Sequence, residues 1–359
     1  MEHELDNSVA SIRSSVAPLD RQAASRDAWP GTTLRAWQGE RGPTPDRVWW
    51  PADEGEVSAI LRAAAARRIP VVTYGAGSGV CGGAGGRDGS WVLDTKALAR
   101  IGPIDPQRWT VRVEAGVNGQ QLEDWLAARG WTLGHSPSSI GCSTVGGWAA
   151  ARSAGQFSSK YGVFEDMVVG LRAVAPGPGA FAVGDGSDEA GEADDRLALL
   201  LGSEGTLAVI TALTLRIWPS PAARWLRGYR FPDVASALDA MRRVVQGELH
   251  PAVVRLYDPV DTRIGGRTKP KHGGKTDSGT DGASFVRRWL ARVDAIPEVH
   301  RRTLVLPLSL PSMVNRVFDR IASGCLLIVG WEGDEGVVEA CRTAGHAILC
   351  ERGEDLGPD

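Results

Sequence analysis

No run of about 18 consecutive apolar residues occurs in this chain, which excludes a conventional membrane-spanning helix. Excess charge of either sign is also missing. Forty Lys and Arg stand against 43 Asp and Glu, so the net charge is −3 and nothing draws nucleic acid or an anionic membrane surface. Cysteine is sparse. Cys81, Cys142, Cys325, Cys341 and Cys350 show no metal-ligand spacing and no even-numbered framework. No metal site or disulfide scaffold is therefore expected, and reduced thiols point to a cytoplasmic protein. The opening MEHELDNSVASIRSSVAP has early acidic residues and no apolar centre, so it is not read as a signal peptide.

What the chain has in excess is glycine: 45 of 359 residues, roughly double the usual share of about 7%. The glycines cluster at 75–89, 141–155 and 177–191, which predicts loops with special backbone demands. Between the clusters the patterning is clear. RVWWP, IPVVTYG and SWVLDT read as short strands, with EGEVSAILRAAAARR (54–68) as an amphipathic helix. WTVRVEAGV alternates as a strand, and NGQQLEDWLAARG follows as a helix with Asn118 as N-cap and Gly130 beyond its end. A short helix is expected around 148–153. DMVVGLRAVAP and TLAVITALTLRIWP are further strands, and Pro219 and Pro221 mark a domain boundary. Beyond it come a strand, a helix and a strand to Asp258, and a polar loop over 262–284. Helices at 285–293 and 312–322, strand CLLIVGWEG and a helix over 334–344 follow. Residues 1–43 read as one helix and a loose lead-in, and 177–194 as an acidic surface excursion.

The first glycine cluster, VVTYGAGSGVCGG, contains spacings found in dinucleotide-binding turns. A Rossmann loop must open a helix whose N-terminus holds the pyrophosphate, whereas this one runs through GRDG into a strand. Consecutive turns can still aim backbone N–H groups at an anion without a helix. The second cluster, SPSSIGCSTVGGWAAARSAG, offers hydroxyls at Ser138, Ser139, Ser143 and Thr144 and small residues that let a flat ring lie against backbone. Close helix-on-sheet packing is the alternative use of those small residues. The third element, GSEGTLAVI, is a tight turn entering a strand, where Glu204 is costly to bury unless its oxygens are satisfied.

Taken together and in this order, the three segments resemble the FAD-binding domain of the vanillyl-alcohol-oxidase and para-cresol-methylhydroxylase (PCMH) type. The family includes glycolate and D-lactate dehydrogenases and the alkyldihydroxyacetonephosphate synthases. The resemblance implies an α+β chain: a PCMH-type, two-subdomain FAD-binding fold over 44–220, after the 1–43 lead-in, with an incomplete α/β cap domain over 221–359. It implies that Tyr74, Gly75, Ala76, Gly77, Ser78, Gly79, Val80 and Cys81 line the pyrophosphate. Pro137, Ser138, Ser139 and Ser143 with Thr144, Val145, Gly146 and Gly147 would run along pyrophosphate and flavin. Ala151, Arg152, Ser153, Ala154 and Gly155 would continue that wall, and Tyr161 and Gly162 complete it. Glu204, Gly205, Thr206, Leu207, Val209 and Ile210 would meet adenine and ribose.

STVGGW, ARSAG, YG and Glu165-Asp166 are most similar to the synthase branch; the dehydrogenases commonly carry Asn where this chain has Trp148. No histidine lies in the first loop, and His135, near the second motif, reads as structural or solvent-facing, so noncovalent FAD is expected. The resemblance also places Arg255, in PAVVRLYD, beside a small anionic substrate, either a 2-hydroxy acid or an acyl-dihydroxyacetone phosphate reacting at flavin N5. Pairing with Asp258 or Asp261 is the bland alternative for this arginine. Synthase relatives continue past the position of Asp359, which implies a shortened cap and three readings: a flavoenzyme, a FAD-binding subunit completed by a partner chain or second copy, or an inert FAD-binding fragment. No nucleic-acid partner is expected.

Overall fold

The β-branched and aromatic runs RVW, VVTY and WVLD pair edge to edge as β2 (Arg47–Trp49), β3 (Val71–Tyr74) and β4 (Trp91–Asp94). β4 lies between the other two, parallel to both, and β1 (Ser14–Ser15) joins β2 antiparallel, giving the order β1-β2-β4-β3. Parallel strands need a crossover. It is supplied by α3 (Glu54–Ala66), following the short helices α1 (Pro18–Ala23) and α2 (Pro30–Trp37). Asp53 caps α3 by accepting from Glu56 N at 2.9 Å, while Glu56 reaches back to Ala52 N at 2.7 Å. Its buried stripe, with Val57, Ile60, Leu61 and Ala64, packs on Trp49, Trp91 and Leu93.

The computed structural model describes residues 8–40, 42–184, 195–259, 261–262 and 324–357, and the chain divides into units Met1–Pro221 and Ala222–Asp359. The second sheet of the first unit is antiparallel. It comprises β5 (Ile101–Asp105), β6 (Thr110–Glu114), β8 (Val168–Ala175), β9 (Gly179–Gly184) and β10 (Val209–Arg216), in the order β5-β6-β10-β8-β9. β10 is buried along nearly all its length: β6 and β8 flank it, and Leu213 and Leu215 join the core formed with Trp148, Phe164 and Met167. β7 (Trp131–Thr132) pairs separately with β11 (Trp218–Pro219). Helices α4 (Gly119–Ala127), α5 (Val145–Ala150), α6 (Ser158–Tyr161) and α7 (Phe164–Met167) connect β6 to β8, and α8 (Asp195–Leu200) precedes β10. Leu122, Leu126, Trp148, Phe164 and Met167 fill the core under this sheet with Val113, Leu171 and Leu213.

α3 also reaches the second sheet. Arg172 on β8 donates to both oxygens of Glu54 at 2.7 and 2.6 Å, and Thr211 on β10 donates to one of them at 2.7 Å. The guanidinium hydrogen bonds hold the Glu54 carboxyl below its usual range against the opposing effect of burial.

In the second unit, β12 (Ala223–Phe231), β13 (Val253–Tyr257), β14 (Cys325–Gly333) and β15 (Glu354–Asp355) form an antiparallel sheet ordered β13-β14-β12-β15. α9 (Val234–Gln246) and α10 (Glu335–Cys350) pack on it through Ala237, Ala240, Val244, Val338 and Leu349. The lead-in differs from expectation: residues 8–40 carry a strand, two helices and fixed contacts. Five strands have no counterpart in the sequence reading, the two-residue β1, β7 and β15 and the longer β5 and β9, and α10 runs six residues past the expected end. Helices expected at 285–293 and 312–322 and the polar loop beyond 262 lie outside the described residues, as does 185–194.

Candidate functional site

The three glycine-bearing turns of the first unit meet. A Cβ placed on Gly75 would come 2.5 Å from Thr144 Oγ1, and one on Gly83 would come 2.7 Å from Glu204 Oε2, so the first loop touches the second and the third. The third turn is laced to the second motif as well. Gly202 N and Glu204 N donate to the carbonyls of Ala149 and Ala150 at 2.9 and 3.1 Å, and Arg152 Nε donates to Leu201 O at 3.1 Å. A Cβ on Gly205 would sit 2.9 Å from Thr73 Oγ1, which brings the same turn against β3, the open edge of the first sheet. Arg152 and Glu204 adopt φ of 48° and 49°, left-handed conformations that L side chains hold only under tertiary constraint.

The first loop leaves donors free. Among the described residues, no hydrogen bond engages the backbone N–H groups of Ala76, Gly77, Ser78, Gly79, Val80 and Cys81. Six successive amides without partners form the kind of concavity that takes phosphate oxygens. Gly77 has φ of 67°, and a Cβ there would fall 2.0 Å from the Tyr74 hydroxyl. Tyr74 itself is buried. Burial first, and then Asp94, raises its phenol pKa, so it stays protonated and donates to Arg26 O at 3.0 Å. Lys96 Nζ donates to Gly75 O at 2.9 Å and to Asp94 at 2.6 Å, fixing the start of the loop.

In the second motif the residues divide by role. Gly146 is packing: its N–H donates to Ala115 O at 2.7 Å, and a Cβ would meet the Ala115 Cβ at 2.6 Å. Val145 is in the core, whereas Gly147 is exposed with its N–H on Thr144 Oγ1. The Ser143 hydroxyl is already engaged, donating to Ser139 O at 2.7 Å and accepting from Trp148 Nε1 at 2.8 Å. Pro137 is buried, Ser138 exposed, and Ala151, Arg152 and Ala154 are exposed beside half-buried Ser153 and Gly155. Tyr161 packs its ring 5.0 Å from Trp218, and Gly162 turns with φ of 86°. Trp148 points into the core, 4.7 Å from the ring of His135.

His135 is not solvent-facing. It is 2% exposed, its Nε2 lies 3.1 Å from Ser153 Oγ, and its Nδ1 has no partner among the described residues. Burial pushes its pKa down to about 4, so the ring is neutral at pH 7.

The third segment offers an apolar wall. A cleft of about 200 Å³ is lined by Leu61, Ile69, Val71, Thr73, Val174, Pro176 and residues 205–209. Thr206 and Leu207 are exposed at its rim, the N–H groups of Leu207 and Ala208 are unpaired among the described residues, and Val209 and Ile210 turn into the core. Glu204 is exposed, so it carries no burial cost. Free amides beside an apolar slot fit a dinucleotide, whose phosphates need donors and whose base needs an apolar face. In the second unit, Arg255 is exposed on edge strand β13 with its guanidinium 5.1 Å over the Tyr257 ring. Among the described residues no carboxylate pairs with it, Asp258 and Asp261 included.

Comparison with known proteins agrees with this geometry. A family model described as "FAD binding domain" matches residues 45–180, and one described as "FAD linked oxidases, C-terminal domain" matches 220–345. The chain belongs to the FAD-linked oxidases with the PCMH-type FAD-binding fold, and its cofactor is FAD. Alkyldihydroxyacetonephosphate synthase of Dictyostelium discoideum is 29% identical over 319 residues, 88% of this chain and 48% of the relative. The glycolate oxidase subunit GlcD of Bacillus subtilis is 30% identical over 216 residues, 60% of this chain and 46% of that one. A solved structure of alkyldihydroxyacetonephosphate synthase superposes with a TM-score of 0.74 at 26% identity, covering 96% of this chain and 58% of the other. The chain thus spans about half the length of the curated relatives it matches.

Proposed function

We propose that the chain holds FAD noncovalently across the three turns and acts on a small anionic substrate, an acyl-dihydroxyacetone phosphate or a 2-hydroxy acid. The observation that carries this reading is the meeting of the turns around unpaired amides at Ala76–Cys81. Bound FAD supplies two-electron chemistry at its ring system. The chain's own residues do the rest. The Ala76–Cys81 amides bind phosphate oxygens, and the cleft beside Leu207 and Ala208 excludes water from the base. The planar, permanently charged guanidinium of Arg255 suits a carboxylate or phosphate. Burial of His135 away from the loop surface supports noncovalent attachment.

The similarity to alkyldihydroxyacetonephosphate synthases favours redox-neutral exchange in ether-lipid synthesis. A second reading, a FAD-binding subunit of a multichain hydroxy-acid dehydrogenase, is favoured by the likeness to a protein named as a subunit. Incubation of the FAD-loaded chain separates them. Formation of alkyl-dihydroxyacetone phosphate from the acyl compound and a fatty alcohol supports the first. Anaerobic bleaching of flavin absorbance by glycolate or D-lactate, alone or after a partner is added, supports the second. Silence in every arm contradicts both.

A further inference from the structure

The glycine-rich loop is fastened from outside the two sheets by a segment with no recognisable motif. Ala24 O accepts from Gly86 N at 3.2 Å, Ala28 N donates to Gly79 O at 2.9 Å, and Asp27 Oδ2 accepts from Gly82 N at 2.8 Å. Where the loop begins, Tyr74 donates to Arg26 O. Trp29 lies against Gly82, where a Cβ would come 3.3 Å from its ring, and at Gly85 a Cβ would meet Ser25 O at 3.0 Å. Residues 24–30 therefore grip the loop at its start, middle and end.

Asp27 is the centre of this grip. It is 8% exposed, and its second oxygen accepts from Trp29 N at 3.0 Å, which aims the carboxylate at Gly82. A carboxylate so far from water is costly unless donors satisfy it, and here two backbone amides do. The loop's own donors are thereby sorted. Gly82 and Gly86 spend their N–H groups on residues 24–30, while Ala76–Cys81 keep theirs. A loop this rich in glycine loses much conformational freedom when it closes on a ligand. Fastening it beforehand removes that loss from the binding step.

We infer that residues 24–30, through Asp27, are a positioning strap that pre-sets the loop for the dinucleotide phosphates. This inference rests on the FAD reading above and extends the cofactor site into the N-terminal segment. The test compares Asp27→Ala with the wild type in the full chain, measuring the FAD dissociation constant by flavin fluorescence and the thermal midpoint without FAD. The strap predicts about tenfold weaker FAD binding, with the FAD-free midpoint within about 2 °C. Unchanged affinity overturns the strap and leaves FAD binding standing, and a parallel loss of midpoint and affinity makes Asp27 merely structural. A wild type that takes up no FAD removes both proposals. Should the variant not fold, amide exchange of the FAD-free wild type decides. Gly82 and Gly86 are predicted to be protected while Ala76–Cys81 exchange freely, and equal exchange across the loop overturns the inference.

Discussion

Single residues decide whether the first loop can be built. Gly77 combines positive φ with a hypothetical Cβ inside the Tyr74 hydroxyl, so Gly77→Ala must displace either the loop or the tyrosine. The expected outcome is FAD affinity reduced by about tenfold or more, read by fluorescence titration; an unaltered dissociation constant would show that the loop does not form the cofactor wall. Arg255 is exposed and unpaired among the described residues, so Arg255→Gln should leave stability within about 0.5 kcal/mol and FAD affinity intact. The same variant should weaken the spectral response of the loaded protein to glycolate or dihydroxyacetone phosphate, and an identical response would remove Arg255 from the substrate site.

His135 makes a prediction about pH. Its folded pKa of about 4 lies below the ordinary 6.5, so its contribution to stability is complete above pH 6.5 and fades as pH falls toward 4. Between pH 6.5 and 5 the loss is about 2 kcal/mol. Urea unfolding of the wild type should show this slope, and His135→Gln should lack it. Equal slopes in both proteins would mean that the imidazole is not held neutral in the core.

At the scale of elements, the clamp of Glu54, Arg172 and Thr211 joins the start of α3 to β8 and β10. Arg172 is 36% exposed in its side chain, so solvent screening reduces the pair to about 1 kcal/mol. A double-mutant cycle of Glu54→Gln and Arg172→Gln should give coupling of that size at pH 7. Because the folded pKa of Glu54 is lowered, the coupling is full above pH 4.5 and disappears as the carboxyl protonates below it. Coupling that persists at low pH would point to packing in place of the ion pair. Legibility also varied by element. α3, α4 and β10 were readable because hydrophobic period and caps agree. β5 was hidden by Gly102 and Pro103 within IGPID, and β9 by the small residues of GAFAVG, since neither shows an alternating apolar face. The strap at 24–30 was illegible because each of its contacts with the loop has a backbone group on at least one side, and one carboxylate and one ring in a short irregular segment make no periodic pattern.

For the whole molecule, the order of three motifs carried the fold, while the division of labour inside them needed coordinates. Gly146 packs on Ala115, Ser143 is spent on Ser139 and Trp148, and His135 is buried, although all stand in the same small-residue stretch. Sequence spacing brings residues to a region without saying which way each one points. The central claim is that the amides at Ala76–Cys81, with the two neighbouring turns, form one dinucleotide site. The most direct test is the absorbance spectrum of the purified chain after incubation with FAD and gel filtration. The account predicts flavin bands that travel with the protein and are released into the supernatant by acid precipitation. A colourless protein, with all added flavin eluting separately, would contradict it.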